Sequence, residues 1–219
     1  MPESSALVPQ FRELLIDGGG TRLDELAQAV EELLAPPWDR DRETEDSDLL
    51  KRGKYRVFRR GGTGDAPGLR VFLVPREAKD QVYVSNIVPT ELSELTMDQY
   101  NDALITFCDE FCRPATAKLG LDCQITEAFL DLSKYLDEDT YRSLIAFSRL
   151  ANKSTGASHP LDRDRWFDFI VRLHGSNIQL DGDVLERWLI LEGWSEDIAY
   201  RLTEQYGYAL ELLQYAQSH

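Results

Sequence analysis

The chain has 219 residues, 42% hydrophobic and 29% charged, enough apolar material for one large domain or two small ones and too much for a disordered tail. Asp and Glu number 39 against 24 Lys and Arg, a net charge of −15, which argues against a general DNA-coating protein or a binder of anionic membranes. No apolar run nears the roughly 18–20 residues of a membrane span, MPESSALVPQ lacks the parts of a secretion signal, and three cysteines cannot all pair within the chain. These features predict a cytoplasmic protein in a reducing compartment, away from membranes.

Charge is uneven. Residues 1–50 carry 13 acids and 4 bases, whereas KRGKYRVFRR at 51–60 carries six bases and no acid. No repeat marks a solenoid or propeller, and there is no long low-complexity tract.

Leu23, Leu26, Ala27, Val30, Leu33 and Leu34 keep helical spacing, with Thr21 and Asp24 at the start and Pro36 and Pro37 at the end. Asp39 to Asp48 has six acids in ten residues and reads as a solvated linker. Residues 1–50 are thus expected to form an acidic helical arm and linker.

KYRVFRR, LRVFLVP and QVYVSNIV then alternate as strands, joined by GGTGDAPG and REAKD. They predict an antiparallel meander with LRVFLV central, covered on both faces, and the arginine-rich strand at an edge. A long helix follows from Thr96, bearing Met97, Tyr100, Leu104, Phe107, Cys108 and Phe111, and DCQIT suggests a fourth strand. Residues 51–128 read as an α+β domain, a small antiparallel sheet of three to four strands packed by a long helix. Residues 129–219 read as a helical bundle. Its helices begin near Asp137 and Asp162, turn at Gly182 and Gly193, and end in a stripe of Leu202, Tyr206, Ala209, Leu210 and Leu213.

Several groupings carry candidate chemistry. Lys51, Arg52, Lys54, Arg56, Arg59 and Arg60 interleave with Tyr55 and Phe58, a mixture of cations and rings that suits phosphates and unpaired bases. Lys54, Arg56, Phe58, Arg59 and Arg60 are the candidate binding residues. The plainer account is a charged edge strand that neutralises the acids before it. Ser158, His159 and Asp162, in the loop 154–164, are the candidate catalytic residues, since hydroxyl, imidazole and carboxylate support nucleophilic or acid–base work. Against that, Ser, Gly and Pro also build turns and helix caps.

Cys108 and Cys112 share a helical face with Leu104 and Phe111, and without paired C-x2-C spacing they read as buried reduced thiols, with no metal assigned. Glu77, Lys79 and Asp65 match the bare content of a magnesium nuclease site, but they fall in a turn where surface charge is usual. The glycines at 18–20 and 61–64 lack a phosphate-loop pattern, and no cofactor fingerprint is present. Trp166, Trp188 and Trp194 are expected in the core, although short helices rich in Trp and Tyr also make interfaces.

The reading is a non-enzymatic, acidic, cytoplasmic interaction or regulatory protein that binds a basic protein partner, of the immunity, antitoxin or defence-accessory kind. One alternative is an enzyme or enzyme subunit, hydrolase or nuclease-like, with its site in the 154–164 loop. Another is a nucleic-acid-binding accessory using strand 51–60. Homo-oligomerisation is left open.

Overall fold

The computed structural model describes residues 7–47, 54–63, 67–91, 94–176 and 178–218. They form an α+β protein with two compact units, residues 11–128 and residues 129–218 with 7–10. The described strands are β1 (Leu7–Pro9), β2 (Leu14–Asp17), β3 (Trp38–Arg40), β4 (Arg56–Arg60), β5 (Leu69–Arg76), β6 (Gln81–Pro89), β7 (Asp122–Ile125) and β8 (Phe129–Asp131). All of them pair antiparallel.

In the unit 11–128 the sheet has six strands in the order β3-β4-β5-β6-β2-β7, not three or four. The expected meander β4-β5-β6 is its middle, and β7 is the strand foreseen at DCQIT. The additional strands come from before residue 47. β2 buries Leu14 and Ile16 completely and pairs on both sides, Leu15 facing Tyr83 in β6 and Gln124 in β7. β3 covers β4, with Asp39 opposite Arg59. So the arginine-rich strand is not an edge, and residues 11–47 belong to the sheet unit rather than to a separate arm. β5 lies inside the sheet but has one well-covered face: Leu69, Val71 and Leu73 are buried while Arg70 and Phe72 are half-buried.

The segment expected to be a solvated linker is ordered by its own charges. Arg40 Nη1 meets Glu31 at 3.0 Å and its Nε meets Glu45 at 2.9 Å, with only 8% of the Arg40 side chain exposed. Arg42 adds a second contact to Glu31 at 2.7 Å, and Arg70 of β5 reaches Asp41 at 2.7 Å. Asp41 also accepts the Thr44 N–H, starting the short helix α2 (Arg42–Glu45), while Glu45 accepts the Val57 N–H of β4. Asp39, Asp41 and Glu45, carboxylates that would repel in isolation, thus each receive a donor from the sheet. Asp48 lies outside the described residues.

Helix α1 (Leu23–Glu31) buries Leu23, Leu26, Ala27 and Val30, the face that its spacing predicts. The turn before it is seated against the β5–β6 connection: a Cβ on Gly20 would come within 2.8 Å of Asp80 backbone, so no other residue fits there. The long helix starts at a capping box between Thr96 and Gln99. It runs as α3 (Met97–Phe107), one π turn at Cys108–Cys112, and α4 (Arg113–Leu119). Pro114 explains the π turn, because its ring lacks an N–H and would clash with the carbonyl four residues earlier in a regular helix. Phe107 packs at 5.4 Å from both Trp38 and Phe58 and at 5.8 Å from Phe111, which closes the core between helix and sheet.

The other unit pairs β1 with β8, Leu7 facing Asp131, beside α5 (Leu132–Tyr135), α6 (Glu138–Leu150), α7 (Pro160–Ser176), α8 (Gly182–Leu191) and α9 (Glu196–Ser218). Asp137 and Asp181 cap α6 and α8 by accepting backbone N–H groups. Phe147 stacks on Trp194 with ring centres 5.1 Å apart, and Trp166 lies 4.7 Å from Phe147 and 5.4 Å from Phe169. The Trp194 indole donates to buried Ser148, and the Tyr206 hydroxyl donates to the Leu180 carbonyl. In α7, Trp166, Phe169, Ile170 and Leu173 turn inward while Phe167 and Val171 remain outside. No helix among the described residues is long and apolar enough to cross a membrane.

Arg40→Ala takes the only ion pair described for the largely buried Glu45 and one of two from Glu31, and should lower unfolding free energy by about 3 kcal/mol, whereas Arg59→Ala, removing an exposed pair with Asp39, should change it by less than about 1 kcal/mol; urea unfolding of both variants measures the contrast. Burial alone would raise the Asp41 carboxyl, but hydrogen bonds from Arg70 and Thr44 outweigh it and hold the group below its ordinary 3.8. A carboxyl depressed in the folded state stabilises fully above its unfolded value and loses that contribution as pH falls. Unfolding free energy should therefore drop below about pH 4, and Asp41→Asn should be less stable at pH 7 while showing a shallower acid loss.

Candidate functional site

The loop between α6 and α7 was the catalytic candidate, and its polar groups are used locally. Asn152 Oδ1 accepts from the Ser154 N–H at 3.0 Å and its hydroxyl at 2.8 Å, folding one turn over Lys153–Thr155. Gly156 and Ala157 follow with φ of 65° and 56°. His159 then begins α7: its Nδ1 accepts the Leu161 N–H at 3.2 Å and its carbonyl accepts the Asp162 N–H at 2.9 Å. Asp162 is 5% exposed, accepting the Asn152 N–H at 3.0 Å and Arg165 at 2.8 Å.

Ser158, His159 and Asp162 are close along the chain, but no side-chain hydrogen bond links any two of them among the described residues. A nucleophile needs its base within hydrogen-bond reach, and the base needs an orienting partner. Here the imidazole lone pair and the carboxylate are both occupied by the start of a helix. The loop is a capped turn held by Asp162, not an assembled triad.

The candidate binding strand is also largely committed. Arg56 is paired with Asp24, and Arg59 meets Asp39 at 2.7 Å. Arg60 donates to the Pro67 carbonyl at 3.1 Å and lies 5.7 Å from the centre of the Trp38 ring. Phe58 is fully buried, which corrects its reading as a stacking platform: alternation sends it to the core beside Phe107. Lys54 is exposed with φ 52°. Lys51 and Arg52 lie outside the described residues, as does Asp65.

Cys108 and Cys112 are buried and Cys123 is half-buried, with the Cys108 and Cys123 sulfurs 3.6 Å apart. The hydrogen bond with Cys123, then burial, pushes the Cys108 thiol up, and burial raises Cys112. Among the described residues, no three His, Cys, Asp or Glu side chains gather as a metal site.

What the sequence reading missed is the outer face of α9. Leu202 and Tyr206 are buried as the predicted stripe requires. A second stripe on the same helix points outward: Tyr200, Tyr208, Leu212 and Tyr215 are 54%, 70%, 55% and 62% exposed, interleaved with exposed Glu204 and Glu211. Its signal was present as the spacing of Tyr200, Glu204, Tyr208 and Leu212, each four residues after the last. The Tyr200 hydroxyl donates to Glu204 at 3.1 Å, fixing one ring along the helix surface.

The model of a family described only as a domain of unknown function, DUF1889, matches residues 140–209, within α6 to α9. No curated protein and no solved structure matches the chain. The matched residues include the 152–165 turn and, of the α9 face, Tyr200, Glu204 and Tyr208, but not Glu211, Leu212 or Tyr215.

Asp162→Ala should leave the Asn152 N–H and Arg165 without their acceptor and lower stability by about 2 kcal/mol, read as a shift in the urea midpoint. Because the thiolate is the reactive form, raised thiols react slowly: Cys108 and Cys112 should resist iodoacetamide in the folded protein and label fully in urea, as counted by intact-mass spectrometry.

Proposed function

We propose that the chain is a non-enzymatic binding protein whose contact surface is the outer face of α9, and that its partner is a protein offering a basic, amphipathic segment. The observation that carries this reading is the exposed stripe of Tyr200, Tyr208, Leu212 and Tyr215 with Glu204 and Glu211 between them. Tyrosine offers a large, stiff contact surface at small entropic cost, and such rings dominate the energetics of interfaces. The interleaved carboxylates call for Lys or Arg opposite them. A net charge of −15 adds long-range attraction that speeds association with a cationic partner at low salt.

The properties match an inhibitor or accessory of the immunity, antitoxin or defence kind, acting in the cytoplasm, where three free thiols stay reduced. The groups that would support catalysis are occupied in capping a helix, and the paired arginines of β4 leave little free positive charge for nucleic acid.

The test is affinity purification from the native host at low salt, comparing the wild-type chain with Tyr208→Arg/Tyr215→Arg. The expected outcome is a stoichiometric partner whose basic segment cross-links to α9, which leaves when salt is raised to about 0.5 M and falls at least tenfold on the double variant. A partner retained on that variant, or cross-links that all lie away from α9, would overturn the reading.

A further inference from the structure

The turn that was a poor catalytic site borders a recess of a different chemistry. A cavity of about 240 Å³ opens between that turn, the first turns of α7 and the second turn of α9. Thr155 and Ser158 line it from the turn, Arg163 and Trp166 from α7, and Arg201 and Gln205 from α9. Each helix brings an arginine and a second lining residue one turn away. At about 30 Å³ per water the space equals roughly eight waters, enough for a phosphoryl group with a small organic substituent.

The electrostatics set this recess apart. In a chain with 15 more acids than bases, most arginines near carboxylates are paired with them, as Arg40, Arg59, Arg165 and Arg172 are. Arg163 and Arg201 have no ion pair among the described residues. Among the described residues the Arg201 guanidinium makes one hydrogen bond, a long one from Nε to the Asp197 carbonyl at 3.4 Å. The guanidinium lies so close over Gly156 that a Cβ there would sit 3.0 Å from Nη2. Glycine at 156 therefore both adopts the positive φ and admits the arginine to the recess.

The aromatic wall of the recess also holds an unpaired polar group. Trp166, 1% exposed, lines the cavity, while its indole Nε1 is shut off from solvent and has no hydrogen-bond partner among the described residues. A buried donor left unpaired costs about 1–3 kcal/mol, and the comparable Trp194 indole is satisfied by Ser148. The amino-terminal end of the 17-residue α7 adds positive potential on the same side.

We propose that this recess binds a small phosphate-bearing molecule, with Arg163 and Arg201 gripping the phosphoryl oxygens. Ser158 and Gln205 supply further donors. Two guanidinium forks with a hydroxyl and an amide exceed what a two-oxygen carboxylate accepts, and they suit the three terminal oxygens of a phosphate ester. On α9 the site uses Arg201 and Gln205, which border the outer stripe, and none of the stripe's tyrosines lines it, so it stands whether or not that stripe binds a partner.

The test is calorimetric titration of the full chain with inorganic phosphate, glycerol 3-phosphate and glycerol at matched ionic strength, alongside NMR of the Trp166 indole N–H identified by its loss in Trp166→Phe. Saturable binding of both phosphate probes but not of glycerol is expected, with a shift of the Trp166 indole resonance. Arg163→Ala and Arg201→Ala should each weaken binding at least tenfold, Arg163→Lys and Arg201→Lys should weaken it less, and Arg172→Ala, on the same helix, should leave it unchanged. Unaltered circular dichroism of each variant excludes misfolding as the cause. The proposal is overturned by no saturable binding up to about 10 mM, a dissociation constant too weak to matter, by undiminished binding in the double alanine variant, or by equal loss in Arg172→Ala.

Discussion

Arg40 sits at the point on which the sheet unit turns. Its guanidinium, almost wholly enclosed, joins Glu31 at the end of α1 to Glu45 at the end of α2, while Asp41 next to it is tied to Arg70 on β5. Glu31 is also met by Arg42 and Asp41 also accepts the Thr44 N–H, so among the described residues Arg40 is the ion whose loss leaves a largely buried carboxylate, Glu45, without a cation. Through it, a segment whose charge would keep it in water becomes the edge of a six-stranded sheet.

That arrangement also accounts for the basic strand. β4 brings Arg56 and Arg59 against Asp24 and Asp39, so the strongest cationic run of the chain is answered by acids from residues before 50. The arginines do structural work between parts of one unit, and the surface they would offer to a nucleic acid is largely neutralised.

In the helical unit the same economy of polar groups governs the 152–165 turn. His159 and Asp162 are occupied in beginning α7 and holding the turn against it. Function is accordingly sought in what the fold leaves exposed on the helical unit: the tyrosines and leucine on the outer side of α9, and the recess lined by Arg163 and Arg201, the latter lying over Gly156. The first group needs a macromolecular surface to cover it. The second needs only an anion.

The sequence by itself determined the α+β class, the face that α1 buries, the β4-β5-β6 meander, the long helix from Thr96 and the helical character of the last ninety residues, because each follows from periodicity and caps read within a few residues. It placed the division at 128/129 where the structure has it, but it did not determine β1, β2 or β3, nor that residues 11–47 join the sheet unit and residues 7–10 the helical one. These strands are three or four residues long, too short for a pattern, and their partners are distant: Leu7 pairs with Asp131 and Leu14 with Ile125. Nor did it show that the acids at 39–46 are structural, since Asp41 finds Arg70 29 residues away and charge density alone reads as solvation. Only the tertiary structure separated the two stripes of α9 and brought Arg163 and Arg201 to the wall of one cavity, because exposure and convergence depend on which helices pack together, which local periodicity does not encode.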